Sequence, residues 1–437
     1  FEEYRILKNT VKNNNLYAIC TPFDEVSVKI IKDMEFDILK IASCSANDWP
    51  LLEEAASSGM PIVCSTGGLK LSEVDDLYSF FKHKGVDFAF MHCVSIYPTD
   101  LKDLQLNQID FMRKRYPDIV VGWSTHENQD ETVPVQMAYA KGARMFERHI
   151  GIASNKITLN KYSSTPDQIK VWLESLNLAK IISGSEGQRH EIRDIEKDSL
   201  QSLKRGVYAS KNLLKGDVLD EKIVYFAMPL LEGQLSSSDF KNNIIIDSPI
   251  KKDEPLNIKD LTLPKPKLDF IFKKANHEVK AMLNEAKIFL NTEFKIEYSH
   301  HDGIEEFRNT GAVLIDIVNR DYCKKIIIQL PGQNHPEHFH KRKEETFQVL
   351  YGILNLTIEG RKKTLYPGDT ALVLPGTWHS FNTLNGCVFE EISTKHFNDD
   401  SFYKDKRINS MKRDERKTIV NHWGRYELPE KLNKNNS

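Results

Sequence analysis

The chain has no run of eighteen apolar residues, so no membrane-spanning helix is expected. It has no excess of one charge. Its 60 lysines and arginines face 62 aspartates and glutamates, which removes the electrostatic case for nucleic acid or a membrane surface as partner. Its six cysteines (Cys20, Cys44, Cys64, Cys93, Cys323, Cys387) form no CxxC pair and sit mostly in apolar strand-like runs. Reduced thiols in a cytoplasm are expected, rather than a disulfide framework. No signal-peptide pattern opens the chain, and its first residue is Phe1, not Met. What the chain does have is length: 437 residues exceed one ordinary core, so two or three domains are expected.

Between residues 17 and 150, short β-rich runs alternate with amphipathic stretches. The expected strands are Tyr17–Phe23, Phe36–Ser43, Pro61–Thr66, Phe88–Cys93, Ile119–Ser124 and Met145–Ile150. Helical patterns lie near 25–33, 49–58, 72–84, 104–115, 129–141 and 165–183. Such alternation implies a parallel sheet with helical crossovers. Thr21, Lys40, Ser43, Ser65, His92, Ser95, Ser124, His126 and His149 cluster at or just after the strands. That is the pattern of a (β/α)8 TIM-type barrel, whose site is built at the C-terminal strand ends. Six strand–helix units are readable where a closed barrel has eight. The expectation over residues 1–190 is therefore an α/β barrel lacking its first two βα units. An open, doubly wound sheet of six strands is the alternative.

The texture changes at 196–262, where Lys-Gly-Asp and Lys-Asp-Glu-Pro turns punctuate short strands of a small β-rich module. Thr262–Asp269 holds two prolines and reads as a linker. A helix is expected over 274–290, and a closed β-barrel or jelly roll within residues 270–400. Residues 401–437 read as a polar C-terminal tail, extended or partly disordered, with little beyond Trp423 to bury.

Two segments concentrate metal-binding chemistry. Residues 335–352 read HPEHFHKRKEETFQVLYG, and 368–382 read GDTALVLPGTWHSFN. His338 and His340 are two apart, so on a strand both imidazoles face one side. Glu345 and His379 complete a set of three imidazoles and one carboxylate, which suits Mn, Fe, Ni or Zn and leaves positions open for a substrate. The spacing, with Gly332, Gly352, Gly368 and Gly376, resembles both motifs of the cupin family; Leu374 stands where the second motif often has proline. Residues 386–403, GCVFEEISTKHFNDDSFY, resemble the end of cupin-type sugar isomerases such as D-lyxose isomerase-like proteins. That resemblance implies a carbohydrate ligand, with Glu337 or Glu391 as a candidate proton carrier.

The upstream segments ICTPFD (19–24), LKIASCSANDWPLL (39–52), VCSTGG (63–68), MHCVSIYPTD (91–100), GWSTHE (122–127) and FERHIG (146–151) run in order along the chain. Together they resemble the N-acetylneuraminate (sialic acid) synthase family, and the resemblance continues to 262 through the antifreeze-like (SAF) module of those enzymes. It implies condensation of phosphoenolpyruvate with an open-chain N-acyl hexose to a nonulosonic acid. A trianionic phosphate needs cations and hydroxyls; Thr21, Lys40, Ser43, Ser65 and Ser124 stand at the matching positions. His126 and His149 match the family's ligands for a divalent ion, Mn or Mg, and Glu147 is the candidate for proton handling. Tyr97 matches a tyrosine near the substrates. Arg205 matches an arginine that reaches the sugar across a domain-swapped homodimer. Where the family usually shows Asp-His, this chain has Asn160-Lys161, which leaves the acceptor hexose open. A cupin sugar isomerase with an inactive or merely sugar-binding barrel is the alternative function.

Overall fold

Six parallel strands carry the first part of the chain: β1 (Ile19–Cys20), β2 (Ile38–Ile41), β3 (Ile62–Ser65), β4 (Phe88–Cys93), β5 (Val120–Thr125) and β6 (Phe146–Arg148). The computed structural model describes residues 1–154, 158–187, 189–264, 268–291, 293–421 and 423. It divides the chain into two compact units, Phe1–Arg193 and Asp194–Ser437.

In the first unit the sheet order is β1-β2-β3-β4-β5-β6, every neighbouring pair parallel. A doubly wound sheet reverses its strand order at a switch point; this one does not. Curvature is visible in one contact. Lys40 on β2 and Glu147 on β6 are separated by three intervening strands, about 19 Å on a flat sheet at ~4.8 Å per strand. Their Nζ and Oε2 atoms nevertheless lie 2.8 Å apart. The sheet is therefore an arc of a TIM-type barrel, with Lys40 and Glu147 on its concave side. The strands are short and apolar, and Leu39, Ile41, Ile62, Cys64, Phe90, Val121 and Trp123 are buried in one core with the crossover helices.

The crossovers are α2 (Glu25–Asp33), α3 (Trp49–Ser57), α4 (Leu71–Lys84), α5 (Asn107–Arg115), α6 (Val133–Ala140) and α7 (Pro166–Ser183). Their ends are written in the sequence. Asp24 and Asp48 cap α2 and α3 by accepting from the backbone N–H groups of Ser27 and Leu51. Thr165 and Gln168 form a capping box on α7 with Pro166 at its first turn. Gly85 ends α4 at φ +69°, where a side chain would be strained. One helix is new: α1 (Glu2–Asn13) precedes β1 and sends Lys8 and Lys12 to the carbonyls of Met34 and Glu35.

The second unit begins with α8 (Asp194–Leu203) and a small β-rich module: β7 (Gly206–Ala209), β8 (Val224–Ala227), β9 (Ile245–Ile246) and β10 (Leu261–Thr262). Val207, Leu213, Leu219, Leu235, Ile244 and Leu256 form its own core. Of the expected linker, residues 265–267 lie outside the described residues. The following helix, α9 (Leu268–Glu285), starts earlier than its periodicity suggests.

The rest is a two-sheet jelly roll. One sheet has the order β18-β15-β20-β13-β12-β11-β22 and the other β17-β16-β19-β14-β21. The first seven strands are β11 (Ile296–Ser299), β12 (Ala312–Asn319), β13 (Tyr322–Gln329), β14 (Asn334–Phe339), β15 (Glu345–Gly352), β16 (Leu354–Ile358) and β17 (Arg361–Leu365). The remaining strands are β18 (Thr370–Val373), β19 (His379–Asn382), β20 (Cys387–Thr394), β21 (Phe402–Tyr403) and β22 (Lys417–Val420). Gly352 has φ +76°, and a Cβ there would meet Gly386 O at 2.1 Å, which explains the glycine at the end of the first motif.

The expected extended or partly disordered polar tail is instead folded through residue 420. Residues 402–420 supply β21, α10 (Lys406–Ser410), α11 (Arg413–Arg416) and β22, and β22 pairs with β11 along its whole length. Trp423 is buried against α9, its Nε1 donating to Asn291 O at 2.9 Å. The segment reads as polar because its charges are paired inside the fold: Lys417 and Arg413 both reach Glu297, at 2.5 and 2.6 Å. Residues 424–437 lie outside the described residues.

Candidate functional sites

In the barrel unit the candidate residues lie at the C-terminal strand ends. Lys40 alternates with Leu39 and Ile41 on β2, so the apolar pair faces the helices and the lysine faces inward. It is buried, donates to Ser65 Oγ at 2.7 Å and pairs with Glu147 at 2.8 Å. Ser124 is the ladder partner of Glu147 and hydrogen-bonds its carboxyl group. Burial pushes the Glu147 carboxyl upward, but Lys40 and the Ser124 hydroxyl outweigh it, so the group sits below the ordinary glutamate range. Glu147 is thus a carboxylate at neutral pH. Ser43 Oγ accepts from the N–H of Gly67 at 3.0 Å. Thr21 follows β1 beside Cys20 and Ser27, in a groove that also includes Tyr4 and Met34.

His126 and His149 follow β5 and β6 directly, and their ring centres are 5.2 Å apart. Burial holds both imidazoles below their ordinary pKa. The His126 Nδ1 faces Val94 O at 3.2 Å; a carbonyl only accepts, so Nδ1 carries the hydrogen and Nε2 is left with a lone pair. This is the donor chemistry a divalent ion requires, although no third acidic, thiol or imidazole ligand joins the pair among the described residues. Tyr97 packs on His126 at 4.3 Å. Sequence reasoning missed Tyr162, whose ring lies 5.3 Å from Tyr97 and 5.2 Å from His149. It also missed the ion pair behind the histidines. Glu127, next to His126, and Arg148, next to His149, pair with side-chain exposures of 0% and 2%. Their adjacency to the two histidines was the available signal. His92 is a satisfied core histidine, donating to Leu104 O at 2.9 Å. Arg205 belongs to the second unit, exposed and 5.6 Å from the Phe226 ring centre.

In the jelly roll, His338 and His379 are register partners on β14 and β19, while Glu345 opens β15 in the opposite sheet. One ligand atom from each of His338, His340 and His379 lies within 4.8 Å of the others, and all three residues are buried. Each ring also turns its Nδ1 to a backbone carbonyl: Pro336 O at 3.0 Å, Asp400 O at 2.5 Å and Thr377 O at 3.1 Å respectively. Carbonyls fix all three tautomers with the hydrogen on Nδ1 and the Nε2 lone pairs free. Glu345 places Oε1 3.4 Å from His340 Nε2 and Oε2 3.2 Å from His379 Nε2. Both Glu345 Oε2 and His379 Nε2 are buried without a hydrogen-bond partner. Electron-pair donors converging in this way fit a metal ion. Burial pushes the Glu345 carboxyl upward, yet Lys343, at 2.5 Å, holds it well below the usual range. Burial keeps His338 neutral.

The two proton-carrier candidates part company. Glu337 faces outward and pairs with Lys404 at 2.6 Å. Glu391 is buried, 3.0 Å from Lys343 Nζ and accepting from Ser393 Oγ at 3.0 Å. Beside the triad lies a second polar cluster that sequence reasoning did not assemble. His301 Nε2 is 2.7 Å from Ser299 Oγ, 3.4 Å from His335 Nε2 and 3.5 Å from Tyr403 Oη.

These sites have counterparts among known proteins. A family model described as the NeuB family matches residues 1–188, and one described as a cupin domain matches residues 326–386. The N-acetylneuraminate-9-phosphate synthase of Drosophila melanogaster is 29% identical over 49% of this chain and 63% of its own length. A pseudaminic acid synthase of Campylobacter jejuni is 28% identical over 52% of this chain and 66% of its own length. A crystal structure from Chromobacterium violaceum, assigned as spore coat polysaccharide biosynthesis protein E, superposes with a TM-score of 0.58 at 39% identity, covering 60% of this chain and 78% of that one. The chain therefore spans a little under two thirds of the two curated relatives.

Proposed function

Because the chain belongs to the NeuB family through residues 1–188 and carries a cupin domain at 326–386, we propose that it makes a nonulosonic acid from phosphoenolpyruvate and an open-chain N-acyl hexose, and that its cupin binds a sugar at a metal. The observation that carries the first part is the Lys40 ammonium, buried among Ser65, Ser124 and Glu147 and facing the His126–His149 pair. A lysine inside a parallel strand needs an anionic partner. Glu147 meets that need in the free protein, and the phosphate of phosphoenolpyruvate would meet it in the complex.

In this reading Thr21, Lys40, Ser43, Ser65 and Ser124 hold the phosphate and carboxylate. His126 and His149 would hold a divalent ion, Mn or Mg, which would supply Lewis-acid polarisation of the aldehyde. The enol carbon forms a bond to the aldehyde carbon, whose oxygen takes a proton from solvent. Water adds at the former enol phosphate carbon and loses one proton to the Glu147 carboxylate, which returns it to solvent; the C–O bond to phosphate then breaks and the second water proton leaves with the phosphate as the keto group forms. Tyr97 and Tyr162 wall the acceptor. Arg205 approaches the sugar from the partner subunit in a swapped homodimer, its module being of the antifreeze-like type. In the cupin, His338, His340, Glu345 and His379 would hold Mn, Fe, Ni or Zn, and Glu391 is favoured over Glu337 as proton carrier because it faces inward.

One observation favours a second reading, a cupin sugar isomerase whose barrel only binds sugar: the cupin gathers three imidazoles with fixed tautomers, the barrel two. Phosphate release from phosphoenolpyruvate, measured with Mn and a panel of N-acyl hexoses, separates them. Release that depends on the hexose and vanishes in Lys40→Met supports the synthase. Absence of release with every hexose, alongside an isomerisation lost in His338→Ala, supports the second reading.

A further inference from the structure

Arg416 ends α11 and lies beyond the 326–386 span of the cupin match. Its guanidinium carbon is 5.1 Å from the centre of the Tyr403 ring. That ring stacks on His338 at 5.4 Å and 23°, and packs on His301 at 4.7 Å. The guanidinium carbon is thus within 10.5 Å of the ring centre of a metal-ligand histidine. Its Nε and Nη1 atoms are buried and have no hydrogen-bond partner. The Nδ1 atoms of His300, His301 and His335 share that condition.

Buried donors are seldom left unmade, and a charged donor least of all. The other buried cations nearby are all met: Lys343 by Glu345 and Glu391, Lys417 by Glu297, and Lys325 by Asp316 at 3.3 Å. No carboxylate lies within ion-pair distance of Arg416 among the described residues. Among the described residues Arg416 is thus the one of these four cations with no carboxylate facing it, and a divalent ion on the triad would add further positive charge. A guanidinium offers a planar fork of N–H groups matched to carboxylate or phosphate.

Resting on the reading of the cupin as a metal-dependent sugar site, we propose that its ligand is an anionic sugar, with a carboxylate or phosphate group anchored by Arg416 while the hydroxyl or carbonyl end lies at the triad. Neutral imidazole N–H groups of the His301 cluster complete the polar lining. The anchor comes from the segment after the span of the cupin match, so this extension, and not the glycine turns of the two metal-binding segments, sets the substrate class.

The test uses the full chain, loaded with Mn, in isothermal titration with hexoses, their 6-phosphates and the corresponding hexuronates. Wild-type and Arg416→Met proteins are compared, so that anion binding within residues 1–193 cancels. Expected is at least a tenfold preference for one anionic class over its neutral parent, reduced to threefold or less in Arg416→Met with metal content unchanged. The 6-phosphate and hexuronate arms tell the two anions apart. Equal affinity for anionic and neutral sugars, no binding of any anionic member, or a preference that survives in Arg416→Met would each overturn the proposal. If Arg416→Met does not fold, Arg416→Lys, which keeps the charge and loses the fork, must still weaken the anionic sugar several-fold. Failure of the underlying metal reading shows separately, as no loss of bound metal in His338→Ala.

Discussion

Replacing Arg148 by methionine isolates one carboxylate. Glu127 has a side-chain exposure of 0% and Arg148 of 2%; Arg148 Nε also donates to Ser164 Oγ at 2.7 Å. Burial already raises the Glu127 carboxyl above its ordinary pKa, despite the facing guanidinium. Without that guanidinium the charge is buried alone, a change that costs about 3–5 kcal/mol. For a unit of roughly 200 residues, each kcal/mol moves the melting temperature by about 2–4 °C. The expected drop is therefore about 6–20 °C, confined to the transition of the Phe1–Arg193 unit in calorimetry of the full chain. The sign with pH is fixed. Because the folded-state pKa is raised, folding takes up a proton in the window between the ordinary glutamate value and the raised one. The penalty therefore grows as pH rises through that window and shrinks as pH falls below it. Arg148→Met with Glu127→Leu should recover much of the loss, since an apolar pair carries no desolvated charge. A single-variant loss under about 1 kcal/mol, or a double variant that loses the sum of the singles, would refute the reasoning. Because the pair ties together the chain beside His126 and His149, Arg148→Met should also release metal from the barrel unit, measured by metal content after gel filtration.

Ser124→Ala removes a hydroxyl that lowers the Glu147 pKa, so the acid limb of the phosphate-release profile should move to higher pH; an unmoved limb excludes Glu147 as the base. Gly352→Ala adds a Cβ that meets Gly386 O at 2.1 Å and places a side chain at φ +76°. It should lower the melting temperature of the Asp194–Ser437 unit and leave the other unit unchanged. Trp423→Ala should cost that same unit about 3–5 kcal/mol, read from its calorimetric transition, whereas a disordered tail would register nothing. His338→Ala should lose the cupin metal by elemental analysis while hexose-dependent phosphate release persists.

Much of this was legible in the sequence. Periodicity placed the six strands and their crossover helices, because a buried strand must be apolar and a crossover helix amphipathic. The reactive residues at strand ends pointed to one rim, since parallel strands all end on the same side. His338-x-His340 fixed two imidazoles on one face by the two-residue repeat of a strand.

Other features depended on contacts between residues far apart in sequence. The α1 helix was missed because what docks it, Lys8 and Lys12 on the carbonyls of Met34 and Glu35, lies more than twenty positions away in sequence. The tail read as extended or partly disordered because its charges meet partners more than a hundred positions away, Lys417 and Arg413 on Glu297. His335 and His338 are three apart and belong on opposite faces of a regular strand. A register shift between them in the β14–β19 ladder lets their rings approach to 4.8 Å. The sequence by itself determined the kinds of residue and the face each must take within its own element, because those follow from local geometry. Only the tertiary structure decided which charges meet, since the Lys40–Glu147, Glu127–Arg148 and Lys343–Glu391 pairs, like the Arg416 guanidinium whose Nε and Nη1 have no hydrogen-bond partner, depend on sheet curvature and strand order.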